Sequence, residues 1–147
     1  MSNEQLERNL TLRLEQLIKL TPLSIENTDI VAPFIIAEAG VNHEGSIETA
    51  KRLIYEAADA GADAIKFQTY RAGSIASKHS PAYWDTEKEP TDSQYKLFLK
   101  YDKFWKTEFE KLKQCCEESN IEFLSTAFDV ESAEFLNDLM SVFKISS

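Results

Sequence analysis

Apolar positions along the chain switch between two periods. From Glu4 to Leu20, Leu6, Leu10, Leu14, Leu17 and Ile18 recur near one face, which predicts an amphipathic helix. Thr21-Pro22 ends it, because the residue before a proline avoids the α region. Residues 22–33 read as a linker closing at Pro33. Phe34 to Ala39 is then a short apolar run of strand length, and Gly40 to Gly45 a tight turn. Ser46 is placed to cap a helix running to about Ala60, with Glu48 in its first turn. Its stripe is Ile47, Ala50, Leu53, Ile54, Ala57 and Ala58, and Gly61 stands where a helix-ending glycine belongs.

Strict alternation takes over at Ala64 to Thr69, where Ile65 and Phe67 interleave with Lys66 and Gln68. A long irregular excursion, residues 70–91, follows; loops of this length inside compact domains are lids, binding loops or disordered. Tyr83 and Trp84 favour a loop that packs against something. Ser93 to Tyr101 predicts a short helix. Phe104 to Ser119 predicts a longer one, burying Trp105, Phe109, Leu112, Cys115 and Cys116. Ile121 to Thr126 is the next strand. Asp129 is placed to cap a helix with the stripe Val130, Ala133, Leu136, Leu139 and Met140. Val142 to Ser146 repeats the alternation, with Phe143 and Ile145 on one parity and Lys144 and Ser146 on the other.

Strands alternating with helices mean parallel strands joined by right-handed crossovers. An eight-unit barrel takes roughly 250 residues. Four strands in 147 residues therefore read as the first half of a TIM (β/α)8 barrel preceded by an N-terminal helix. Residues 1–33 are the helical extension and linker, and 34–147 the half-barrel. A complete small open sheet is the alternative.

Charge and cysteines narrow the function. The net charge of -9, with acidic residues spread along the chain, argues against nucleic acid as the main partner. Cys115 and Cys116 are adjacent, poorly placed for a disulfide, and match no metal-ligand spacing. They read as reduced core thiols of a cytoplasmic protein. No apolar run has the length of a membrane span.

The interesting residues interrupt the strands. A carboxylate in a buried strand costs several kcal/mol, roughly, unless it is paired or faces a polar cavity. Glu38 is such a carboxylate. In a barrel, the carboxyl ends of the strands line one mouth, here with Glu38, Lys66, Gln68, Thr126, Lys144 and Ser147. Glu38, Lys66 and Lys144 are expected to converge there. Lysines with hydroxyl groups make a clamp for phosphate or carboxylate, and Glu38 could neutralise a lysine, bind sugar hydroxyls or act as acid or base. An internal Glu–Lys pair without a ligand, and a Schiff-base lysine, remain open. Asn42 and His43 lie in the first turn; a lone histidine there more often caps backbone groups than binds metal.

The segments I-A-E-A-G-V-N-H-E-G, A-G-A-D-A-I-K-F-Q-T, I-E-F-L-S-T-A-F-D and F-K-I-S-S, in that order, resemble the sialic acid synthase family (N-acetylneuraminate, legionaminic and pseudaminic acid synthases and spore-coat relatives) from about Phe34 to Ser147. The resemblance implies a TIM-barrel enzyme that condenses phosphoenolpyruvate with an N-acetylated amino-sugar aldehyde and releases phosphate. It implies Lys66, Thr126, Lys144 and Ser147 as phosphoenolpyruvate ligands, and Glu38 and Gln68 as residues holding the amino sugar, Glu38 with a catalytic role. It also implies a divalent metal, Mn or Mg, with ligands outside this chain, and a homodimer of the full-length protein. Family members are more than twice as long, so this chain by itself is expected to be inactive. Ala127 stands where the family commonly has proline. The alternatives are a non-catalytic half-barrel needing a complementary chain, and another synthase of sugar acids that uses phosphoenolpyruvate.

Overall fold

A computed structural model describes residues 32–146. The helix expected over Glu4–Leu20, nearly all of the linker after it, and Ser147 lie outside the described residues. Residues 36–146 form one compact unit. In chain order its elements are β1 (Ile36–Gly40), α1 (Ile47–Asp59), β2 (Ala64–Thr69), α2 (Ala72–Ile75), α3 (Gln94–Tyr101), α4 (Lys106–Glu118), β3 (Glu122–Ala127) and α5 (Val130–Leu136).

The three strands form one parallel sheet in the order β1-β2-β3. The register sets Ile36 opposite Ala64 and Glu38 opposite Lys66, then Lys66 opposite Leu124 and Gln68 opposite Thr126. Because side chains alternate, every residue of one parity is committed to one face. Ile65, Phe67 and Phe123 take the face under the helices, where they pack with Ala50 and Ile54 of α1, Phe109 and Leu112 of α4, and Leu136 of α5. The opposite face carries Glu38, Lys66, Gln68, Leu124 and Thr126.

Local chemistry explains the element ends. The Ser46 hydroxyl accepts from the Thr49 amide at 3.1 Å, and the Asp129 carboxylate from the Ser132 amide at 2.8 Å, each meeting a helix donor that has no partner within the helix. The Trp105 amide donates to Glu108 across the first turn of α4. Gly45 has φ +81°, and a Cβ there would lie 2.6 Å from Cγ of Lys103. The β1–α1 turn thus packs directly on the segment that follows α3. Cys115 and Cys116 are both buried in the core, and burial pushes the Cys116 thiol up to about 12, with a smaller push from its neighbour Cys115.

Several expectations are corrected. Residues 142–146 form no strand. A strand needs a backbone ladder and a face to bury, and this segment has neither: Phe143 is exposed and Ile145 is 82% exposed. The described residues therefore hold three of the four expected strands. Phe34 and Ile35 are exposed and precede β1, whose pairing with β2 begins at Ile36. Val130, expected in the apolar stripe of α5, is exposed, whereas Met140, beyond the helix end, is buried with its sulfur accepting from the Ser125 amide. The excursion contains the one-turn α2 and is folded on itself: Pro81 bridges Ser93, and the Trp84 indole N–H donates to the carbonyls of Glu89 and Thr91. Of the two aromatics expected to pack, Trp84 does, while Tyr83 stays exposed. No helix among the described residues is long and apolar enough to cross a membrane.

Candidate functional site

The polar face of the sheet holds one charged cluster. Register alone puts Glu38 and Lys66 side by side as a cross-strand pair, and they form an ion pair. The Lys66 side chain is 13% exposed and the Glu38 side chain 53%. The ammonium of Lys66 also reaches the Thr126 hydroxyl of β3 at 3.5 Å. Thr126 stands two residues beyond Leu124, the partner of Lys66, so the lysine leans toward the carboxyl ends of the strands. An ammonium has three donors. Glu38 and Thr126 engage two, which leaves one for an anionic oxygen approaching from the open side of the face.

Gly40 shapes the rim of this cluster. Its φ is +54°, it lies at the bulge that ends β1, and a Cβ on it would be 3.4 Å from a Glu38 carboxylate oxygen and 3.5 Å from the Gln68 amide nitrogen. The positive φ is what favours glycine there, and the same short distances show that Glu38 and Gln68 share one corner.

Next to that corner, at the carboxyl end of β2, lies a small pocket lined by His43, Gln68, Tyr70, Tyr101, Asp102 and Phe104. His43 is 2% exposed. Its ring stacks on Phe104 with centroids 4.1 Å apart, and its Nδ1 accepts from the Gly45 amide at 3.1 Å. The turn histidine therefore caps backbone. Burial lowers its pKa to about 4, so the ring is neutral near pH 7 and carries its hydrogen on Nε2. Burial, with the Asp102 charge nearby, pushes the Tyr70 phenol up to about 12. Asp102, whose side chain is 4% exposed, pairs with Arg71 at 2.9 Å and accepts from the Ala72 amide at 2.9 Å. The Arg71 amide donates to Asp129, and its guanidinium lies over the Trp105 ring.

The structure thus brings together Glu38, Lys66 and Thr126, with Gln68 at the adjoining corner. It does not bring Lys144 to them: Lys144 is exposed, outside any strand, and has no ion-pair or hydrogen-bond partner among the described residues. Ser147 lies outside the described residues. Among the described residues no group of three or more His, Cys, Asp or Glu side chains is arranged to hold a metal ion. The Arg71–Asp102–Asp129 network was not foreseen. Asp129 lies 58 positions after Arg71, with Asp102 between them, and only Asp129 carried a sequence signal, as a helix cap.

The NeuB family profile matches residues 53–147. The chain belongs to the NeuB family. This NeuB-family chain is 44% identical over 119 residues to an N,N'-diacetyllegionaminic acid synthase of Campylobacter jejuni, covering 77% of this chain and 34% of that protein. It is 40% identical over 108 residues to the N,N'-diacetyllegionaminic acid synthase of Legionella pneumophila, covering 72% of this chain and 30% of that one. Among solved structures it resembles an N-acetylneuraminic acid synthetase of Leptospira borgpetersenii in complex with citrate, with TM-score 0.59 and 38% identity over 76% of this chain and 35% of the other. It also resembles the spore coat polysaccharide biosynthesis protein spsE of Bacillus subtilis, with TM-score 0.56 and 34% identity over 84% of this chain and 32% of the other. The NeuB-family chain spans about a third of the length of the curated relatives it matches.

Proposed function

We propose that this chain supplies the first strands of a (β/α)8 barrel whose mouth joins phosphoenolpyruvate to an N-acetylated amino-sugar aldehyde of the N-acetylmannosamine type. The products are a nonulosonic, sialic-type acid and phosphate. The observation that carries this reading is the Glu38–Lys66–Thr126 cluster, with Gln68 beside it, on the polar face of the sheet. The activities for which its relatives are named support it.

In this reading Lys66 and Thr126, joined by Lys144 and Ser147, hold the phosphate and carboxylate of phosphoenolpyruvate. Glu38 and Gln68 hold the amino sugar, and Glu38 is placed to exchange a proton with a sugar oxygen. The methylene carbon of the enol forms a bond to the aldehyde carbon, whose oxygen takes up a proton. Water adds to the resulting oxocarbenium-like centre, and phosphate leaves to give the 2-oxo acid. A divalent metal, Mn or Mg, held by residues outside this chain, polarises the aldehyde when bound. The full-length protein is a cytoplasmic homodimer in the same reading.

The protein carrying this chain is assayed for phosphate release with Mn²⁺, phosphoenolpyruvate and a panel of N-acetylated amino-sugar aldehydes. Release with at least one sugar, abolished by Lys66→Met, is the expected result. No release across the panel rejects the reading.

A second reading concerns the 147 residues alone: a non-catalytic half-barrel that needs a complementary chain. The described sheet has three strands, with β1 and β3 as its outer members, and unpaired strand edges invite association. Sedimentation separates the cases, since a stable, well-behaved monomer argues against this reading.

A further inference from the structure

The pocket beside Gln68 has a composition that packing alone does not explain. It has room for about one water molecule. Apolar cavities of that size stay dry, whereas polar ones hold water that completes the hydrogen bonding of the groups around it. This one is lined by a carboxylate, an amide, a neutral imidazole and two phenols, with Phe104 and Phe109 completing the wall.

Asp102 is the group with capacity left. Its side chain is 4% exposed, and its Oδ2 accepts from the Ala72 amide. Its Oδ1 lies 2.9 Å from Nη1 of Arg71 but takes no well-aligned hydrogen bond. A buried carboxylate oxygen held by charge alone is costly, because the lost hydration is replaced only in part. On the other side, His43 uses Nδ1 as an acceptor for Gly45, which leaves Nε2 as the N–H of the buried neutral ring. The lining therefore offers an acceptor in need of a donor and a donor of its own.

We propose that this pocket binds a single internal water, which donates to Asp102 Oδ1 and hydrogen-bonds the Gln68 amide, making Asp102 a positioning residue for Gln68. Asp102 and Gln68 both line this space. Gln68 also borders the Glu38 corner through Gly40, so the water ties the orientation of its amide to the Arg71–Asp102 pair. The water site stands whether or not the chain acts on phosphoenolpyruvate.

The test is a high-resolution crystal structure of this chain together with NMR of the Gln68 side-chain NH2 pair. Expected is one ordered water within about 3.2 Å of Asp102 Oδ1 and in contact with Gln68. Asp102→Asn keeps its oxygen on the Ala72 amide and puts an NH2 where Oδ1 stood, so the water there must accept instead of donate. Asp102→Leu, which fills the space, expels it and shifts the Gln68 NH2 resonances while the Ile65 and Phe67 amides stay in place. A dry or side-chain-filled pocket in the unsubstituted chain overturns the proposal, and this arm does not depend on either variant folding. Unmoved Gln68 resonances in a folded Asp102→Leu chain overturn the positioning role.

Discussion

His43 lies in a turn of polar and glycine residues, yet its ring is buried against Phe104 and its Nδ1 holds the Gly45 amide. The unfolded ring titrates near 6.5 and the folded one near 4. Between those values the unfolded chain binds more protons, so His43's contribution is whole above about pH 6.5 and is lost as pH falls toward 4. The shift corresponds to roughly 3 kcal/mol at most, and about 2 is expected because the ring borders a wet pocket. Urea unfolding of the parent chain and of His43→Gln across this range checks it: the difference between them should shrink as the pH drops. A second prediction at this scale concerns Glu38. Its side chain is half exposed, so Glu38→Gln should cost less than about 1 kcal/mol of stability. If the proposed reaction holds, it should nonetheless cut phosphate release sharply in the protein carrying this chain. A large shift in the urea midpoint with undiminished release would mark the Glu38–Lys66 pair as structural.

Among the elements, the β2–α2 connection is the best anchored polar junction. Arg71 touches the segment after α3 through Asp102, the start of α5 through Asp129, and the start of α4 through Trp105. Arg71→Ala leaves Asp102 buried without its counter-charge, at an expected cost of about 3 kcal/mol, the lower end for a broken buried pair because Arg71 is partly exposed. Adding Asp102→Asn should recover part of that loss, and a double-mutant cycle by denaturant unfolding measures how much. The sequence announced what is local. Ser46 and Asp129 as caps, Gly61 as a helix stop, and the opposite faces of Lys66 and Phe67 follow from periodicity and from needs within one helical turn. It did not announce Arg71 with Asp102, because no local rule links residues that only the fold makes neighbours. The burial of His43 was equally hidden, since the Phe104 that covers it arrives from another element.

For the whole molecule, parallel β-α alternation was legible from composition switching along the chain, whereas the expected fourth strand was not realised in the described residues. Alternation at Phe143, Lys144 and Ile145 supplies a strand-like pattern, but a pattern becomes a strand only against a ladder and a covering layer. The core on the helix side is continuous from α1 through the sheet to α4 and α5, and the adjacent Cys115 and Cys116 lie inside it. With the Cys116 thiol pushed up to about 12, almost no thiolate exists in the closed state at neutral pH. Iodoacetamide can then modify the Cys116 sulfur only during rare openings of the layer, so its alkylation rate becomes an intrinsic clock for cooperative opening. A tightly closed layer should slow labelling at least about a thousandfold relative to the urea-unfolded chain. Mass spectrometry showing near-equal rates would mean that helices and sheet part readily, and that the chain depends on another surface to keep them shut.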